Sequence, residues 1–350
     1  MVQTIVFQSG KGGYHTYRIP ALAVTPRGTL LAFCEGRKHH AGDSGDIDLL
    51  MRRSLDHGQT WEPARVLVEG GGDTRGNPCP IVDSRTGVVT LLLTGNEGWA
   101  TESQIMRGEA PPRTIWTTTS SDEGATWSAP AEISAQVRKP DWRWYATGPC
   151  HGIQLADGRL LAPCNHSTGQ SEEQMRSHVI FSDDGGATWH LGGVAGDRTD
   201  ESTVLERADG SLYLNMRNYR GTHRRAYSFS SDRGLTWAPV LEDEALIEPV
   251  CQASVARLTT ETSGGRNRVL FSNPASTERK NLTVRLSYDE CKTWPVAKTI
   301  WPGPAAYSDI AVFPDGTIAC LFECGESDPR ETITLARFTL EWLTDGADRL

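Results

Sequence analysis

Ser182-Asp-Asp-Gly-Gly-Ala-Thr-Trp189 recurs, with small changes, four more times: Ser54-Leu-Asp-His-Gly-Gln-Thr-Trp61, Ser120-Ser-Asp-Glu-Gly-Ala-Thr-Trp127, Ser230-Ser-Asp-Arg-Gly-Leu-Thr-Trp237 and Ser287-Tyr-Asp-Glu-Cys-Lys-Thr-Trp294. The shared pattern, S-x-D-x-G-x-T-W, marks a repeat protein. Copies that start at 54, 120, 182, 230 and 287 lie 66, 62, 48 and 57 residues apart, a mean of (287 − 54)/4, or about 58. That period divides the 350 residues into about six units, one without a readable copy. Periods of this size, with several short strands each, belong to propeller blades. The expectation is an all-β chain, a six-bladed β-propeller of four-stranded antiparallel blades.

The chemistry of the phrase agrees. Asp-x-Gly places a turn-forming carboxylate beside a residue that tolerates φ > 0, as the tip of a hairpin requires. The Asp can accept backbone N–H groups, and the Trp can plug the space between sheets. A β-rich run precedes each copy, such as Thr114-Ile-Trp-Thr-Thr-Thr119 and Leu282-Thr-Val-Arg-Leu286. Calcium loops need several carboxylates at alternate positions, whereas these copies share one Asp each, so no metal is expected.

Composition narrows the function classes. No run of eighteen apolar residues is present, so no membrane-spanning helix is expected. A net charge of −9 disfavours nucleic acid and anionic membrane, and any anion site would need its own arginine cluster. The eight cysteines form no C-x-x-C pair and read as buried thiols, which argues against a zinc site. The start, Met1-Val-Gln-Thr-Ile-Val-Phe7, lacks a secretory signal. The expectation is a cytoplasmic chain, or a secreted or periplasmic one if a signal has been removed. No linker divides the chain, so residues 1–350 read as a single domain, with the oligomeric state open.

The residues with chemistry lie outside the repeat. In Tyr17-Arg18-Ile19-Pro20, the proline biases Ile19 to an extended conformation and places Arg18 on a strand. Glu35-Gly-Arg37-Lys-His-His-Ala-Gly-Asp43 has the density of glycine, histidine and charge of an exposed functional loop. Glu201 and Arg217 flank an Asp-Gly hairpin and can reach the same end of one sheet. Arg279 precedes a strand, Tyr307 sits in Ala-Ala-Tyr-Ser-Asp-Ile and Glu323 in Leu-Phe-Glu-Cys-Gly. Taken singly, each is equally well explained as a surface ion pair or a core tyrosine.

Taken together, these segments, the repeat and Gly148-Pro-Cys-His-Gly-Ile-Gln-Leu155 resemble the exo-α-sialidases (neuraminidases) of the glycoside hydrolase family 33 type, whose repeat is called the Asp box. The resemblance spans essentially the whole chain. It implies a single catalytic propeller without an accessory lectin domain and without a cofactor. It implies that Arg18, Arg217 and Arg279 grip the substrate carboxylate and that Glu323 holds Arg18. Asp43 resembles the acid/base, Tyr307 the nucleophile and Glu201 the carboxylate that activates it. Arg37 matches a further pocket arginine and Glu102 a pocket glutamate; Trp99 and Met106 are candidates for an N-acyl pocket. The implied partner is a sialylated glycan.

Physical chemistry makes this set coherent. Charged hydrogen bonds from guanidinium to carboxylate are worth about 1.5–3 kcal/mol each. A carboxylate nucleophile about 4 Å from the substrate carboxylate would face repulsion of about 4 kcal/mol at an effective dielectric near 20. A tyrosine approaches neutral. Sialidases with a tyrosine nucleophile are a known exception to the two-carboxylate rule, and the expected outcome is net retention through a covalent tyrosyl intermediate. A hydrolase of the deaminated sugar, or a trans-sialidase, would keep the same arginines and tyrosine; a non-catalytic sugar-binding propeller would lose some of them. Two positions depart from the family's pattern. Cys150 stands where glycine is usual, and Cys291 replaces the turn glycine of the fifth Asp box.

Overall fold

The computed structural model describes every residue of the chain except Gly264. In it the repeated phrase folds five times into one turn. In the first copy Ser54 Oγ donates to Asp56 Oδ1 at 2.8 Å and accepts the Gly58 N–H at 2.7 Å. Asp56 also accepts the Thr60 N–H at 2.8 Å and the Thr60 hydroxyl at 2.6 Å. The same four bonds recur in the other copies. The fourth and fifth residues of each phrase have positive φ, for example +58° at His57 and +78° at Gly58.

The turn's glycine is also a point of close approach. A Cβ on Gly58 would lie 2.5 Å from Leu335, and one on Gly124 would lie 2.8 Å from Leu31. Cys291 occupies this position at φ +68°, a conformation that costs an L-residue about 1–2 kcal/mol. Its buried side chain joins a core cluster with Leu205, Tyr213 and Val255, which offsets the strain. The tryptophans wedge between successive sheets. Trp127 meets Phe33 edge-on at 5.8 Å, and Trp189 is buried with Ile81, Leu92 and Leu160.

Strand pairing follows chain order in antiparallel runs. Thr16–Val24, Leu30–Arg37, Ile47–Ser54 and Arg65–Val68 form one run; Thr74–Val82, Val89–Asn96, Thr114–Ser120 and Ala131–Glu132 form the next. The third contains Tyr145–Thr147 and Ile153–Gln154, both on Leu160–Ser167, then Met175–Ser182 and His190–Asp197. The fourth contains Thr199–Glu206, Leu212–Asn218, Arg224–Ser230 and Leu241–Ile247. Ser254–Thr259, Arg268–Pro274 and Lys280–Ser287 end on the first half of Val296–Val312. The second half of that strand pairs with Ile318–Cys324, then Thr332–Phe338, then the N-terminal Val2–Gln8. No hairpin joins Thr332–Phe338 to Val2–Gln8, so this run has no turn where a sixth copy of the phrase would sit.

The leading strands of several runs are tied at the middle by Asp309, which is fully buried. It accepts the Leu22 N–H at 2.8 Å, the His151 N–H at 3.1 Å and the Ser254 hydroxyl at 2.7 Å, and it pairs with the His151 ring at 2.7 Å. These strands are not regular. Register slips fall between Arg18 and Ala21, Gly76 and Cys79, Thr199 and Ser202, and Ala305 and Ser308. One slip corrects an expectation: Ile19 is not extended but has φ +61°. A β-branched residue there costs about 1–3 kcal/mol, and tertiary bonds must override the bias from Pro20.

Two outcomes are expected. Trp189→Ala should lower the unfolding free energy by about 3–5 kcal/mol, read by urea titration, because it empties a buried wedge; unchanged stability would contradict the wedge role. Hydrogen bonds from the turn threonines hold Asp56, Asp122 and Asp184 down to about 2. A depressed carboxylate stabilises the fold above its unfolded pKa, near 3.9, and loses that contribution as pH falls through the folded value. Stability should therefore decline between about pH 4 and 2; a flat profile there would argue against the turn bonds.

Candidate active site

Glu323 is fully buried and accepts four donors. Arg18 reaches it twice, Nε to Oε1 at 3.0 Å and Nη2 to Oε2 at 3.1 Å. The Ile19 N–H donates to Oε1 at 2.8 Å and the Tyr307 N–H to Oε2 at 3.4 Å. The left-handed Ile19 thus turns its N–H onto the carboxylate that also fixes the neighbouring arginine. Desolvation opposes the charge of Arg18, but Glu323, then Tyr307, hold its pKa above the ordinary value.

The same device recurs beside it. Glu35 Oε2 accepts Arg37 Nε at 3.0 Å and Nη2 at 2.7 Å, while Oε1 accepts the N–H of Asn77, at φ +54°, at 3.0 Å. Gly76 makes room, since a Cβ there would lie 2.1 Å from Glu35 Oε1. Arg37 Nη1 then meets Asp43 Oδ1 at 2.8 Å, and Arg18 Nη1 meets it at 3.6 Å. The Asp43 side chain is 68% exposed on its loop. Desolvation pushes its carboxyl up, but Arg37 and then Arg18 outweigh that and hold it below the usual range.

Across the pocket, the Tyr307 hydroxyl donates to Glu201 Oε1 in a very short bond, and Arg217 Nη1 donates to Glu201 Oε2 at 2.9 Å and to Tyr307 Oη at 3.4 Å. The guanidinium carbons of Arg18 and Arg279 stand 5.0 and 5.7 Å from the centre of the tyrosine ring. Burial, then Glu201, push the Tyr307 phenol well above its ordinary value, with Arg217 and Arg279 opposing. Asp200, next to Glu201, accepts the Tyr219 hydroxyl at 2.7 Å and the Asn165 amide. Burial raises its pKa, Arg217 opposes and Glu201 adds to the rise.

The pocket, open to solvent, is lined by eight of the residues singled out from sequence: Arg18, Arg37, Asp43, Glu102, Glu201, Arg217, Arg279 and Tyr307. Glu323 lies behind Arg18. Glu102, on the helix Glu102–Arg107, keeps solvent contact although protein atoms surround it; desolvation, then Asp200, push its carboxyl upward. Trp99 is 57% exposed and does not line the pocket, and Met106 lines a neighbouring groove instead. The tryptophan on the wall is Trp144. Glu35, Asn77, Arg113, Asn165, Asp200 and Tyr219 also line it and were not singled out. The adjacency of Asp200 to Glu201 was a usable signal, because a slip in register presents both. No group of three or more metal-binding side chains occurs among the described residues.

What the pocket can do follows from its charges. Three arginines converge around a tyrosine hydrogen-bonded to a carboxylate, with a carboxylate on an exposed loop opposite. This arrangement fits a substrate that carries its own carboxylate at the reacting carbon.

Comparison with known proteins points the same way. A family model described as a BNR repeat-like domain matches residues 28–320. A sialidase of Micromonospora viridifaciens is 35% identical over 351 residues, covering 96% of this chain and 53% of the relative, so the chain spans about half of that protein's length. An exo-alpha-sialidase of Aspergillus fumigatus is 31% identical, covering 95% of this chain and 86% of the relative. A solved Hadza microbial sialidase matches with a TM-score of 0.88 at 30% identity, over 98% of this chain and 69% of that one.

Glu323→Ala should destabilise the protein by about 3–5 kcal/mol in urea unfolding, because it leaves the Arg18 guanidinium buried without its partner. Wild-type stability in that variant would remove Glu323 as the anchor.

Proposed function

The chain belongs to the sialidases, and from that premise we propose that it is a retaining exo-α-sialidase that releases terminal α-linked sialic acids from glycans. The β-propeller fold of the family is read here as six blades of four strands, supported by the six antiparallel runs, within one catalytic domain over residues 1–350. The single observation that carries the reading is the Tyr307–Glu201 hydrogen bond inside the triangle of Arg18, Arg217 and Arg279.

The substrate carboxylate binds the three arginines, which places the anomeric carbon beside Tyr307 Oη. Oη attacks that carbon as its proton passes to Glu201, and the bond to the leaving oxygen breaks as Asp43 delivers a proton to it. Water, deprotonated by Asp43, then displaces the tyrosine, which recovers its proton from Glu201. Two inversions give net retention. In the empty site Arg37 and Arg18 keep Asp43 ionised. The incoming carboxylate takes up Arg18, weakens that hold and lets Asp43 carry the proton it must donate. The raised phenol pKa keeps the nucleophile neutral until Glu201 accepts its proton, so it approaches the substrate carboxylate without charge repulsion.

An aryl α-sialoside, followed by release of the phenol, tests the reading. The wild type should show turnover between pH 4 and 8, and Tyr307→Phe should lose about 10³-fold or more in kcat. No release across that range, or full activity in the phenylalanine variant, would overturn it.

A further inference from the structure

Arg225 and Glu248 have no place in the chemistry above and do not line the pocket, and neither has any solvent contact. Arg225 Nη1 meets Glu248 Oε2 at 2.6 Å. Apolar replacement of a buried ion pair is often neutral or stabilising, so stability alone is a weak reason to keep one. This pair is costlier still, because Arg225 Nη2 has no hydrogen-bond partner among the described residues.

What the pair holds is the strand that carries Arg217. Arg225 Nε donates to Asn215 Oδ1 at 2.7 Å, and Glu248 Oε1 accepts the Asn218 N–H at 2.9 Å. These bonds grip Leu212–Asn218 on either side of Arg217. The sheet itself holds that stretch weakly. Pairing with Arg224–Ser230 ends at Met216 and Ala226, and on the other side the register slips between Thr199 and Ser202, so Arg217 is paired in neither register. Glu323 and Glu35 also each take an arginine and a strand N–H, but there the arginine lines the pocket. Arg225 instead sends Nη1 to the Cys251 carbonyl, and Cys251 packs with Ile19 and Tyr307. The pair thus reaches the strand under Arg217 and a residue packed against Tyr307.

The place of Arg217 is exacting. Its Nη1 alone bridges Glu201 Oε2 at 2.9 Å and Tyr307 Oη at 3.4 Å. A misplacement of about 1 Å in a site of this kind can cost about 10²-fold in rate. We infer that the buried Arg225–Glu248 pair is a positioning device that sets the Arg217 guanidinium against Glu201 and Tyr307; this rests on the sialidase reading above. The pair acts only through Arg217 and the backbone around it.

A double-mutant cycle tests this, with kcat/KM on an aryl α-sialoside and thermal melting of each variant. Glu248→Gln keeps the shape but offers an accepting oxygen at one end only, so either Arg225 or the Asn218 N–H loses its partner. Assayed below its melting transition, that variant should lose about tenfold or more in kcat/KM. In an Arg217→Lys background the guanidinium that bridges Glu201 and Tyr307 is already gone, and the same change should cost about twofold or less. Equal losses in the two backgrounds would reduce the pair to a part of the scaffold and overturn the inference. A folded Glu248→Gln with wild-type turnover would also overturn it. Should Glu248→Gln fail to fold, Asn215→Ala removes the other grip, leaves the ion pair in place and enters the cycle with the same expected coupling. Additive losses on an active wild type leave the sialidase reading intact, whereas no release by the wild type sinks that reading and this inference together.

Discussion

A single buried carboxylate, Glu323, couples the two halves of the chemistry. It accepts bonds from the Arg18 guanidinium, the Ile19 amide and the Tyr307 amide. An ionised carboxylate with no solvent contact is tolerable only when paired and fully hydrogen-bonded, and these donors meet that need. In return the carboxylate fixes the Arg18 guanidinium and the backbone of Tyr307, the groups proposed to grip the substrate and to attack it. The two lie at opposite ends of the sequence, and the pairing of Val2–Gln8 with Thr332–Phe338 helps bring them together.

The cost of this arrangement falls on the backbone. A regular strand sends successive side chains to opposite faces and leaves no N–H free to meet a buried carboxylate. The slips at Ile19, Asn77 and Tyr307 release N–H groups, and Glu323 and Glu35 take them up. Gln252 adds a further pairing at the third slip: its Oε1 accepts the Ser308 N–H at 2.9 Å and its Nε2 donates to the Ser308 carbonyl at 2.9 Å. Bulges beside a site, used to re-aim side chains, are an established device in sheets. Here they sit on the leading strands of several blades, around the axis tied by Asp309.

The division of labour explains what could be read in the sequence. Five copies of one phrase announce the scaffold because five of the six antiparallel runs close on the same turn and its tryptophan. Arg18, Asp43, Glu201, Arg217, Arg279 and Tyr307 were legible because their flanking motifs are distinctive, and the structure brings them into one pocket. The conformation of Ile19 was not legible. Local preference before a proline points to extended backbone, and the bonds that overrule it come from a residue about 300 positions away. Arg113 was hidden for a different reason: Pro-Pro-Arg-Thr-Ile reads as the start of an ordinary strand, and only the fold shows that it lines the pocket. Trp99 misled because a place in the chain read as lying between the first two blades says nothing about which way a loop side chain turns.

The central claim is that Tyr307, presented by a bulge and relieved of its proton by Glu201, forms the covalent bond to the sugar. The most direct measurement is to incubate the protein with a 3-fluoro sialosyl fluoride, whose second step is slow, then digest it and map the modified peptide by mass spectrometry. The account predicts one sugar adduct per chain, on Tyr307, and none in Tyr307→Phe. An adduct on Asp43 or Glu201, or the absence of any adduct on an enzyme that turns over sialosides, would contradict it.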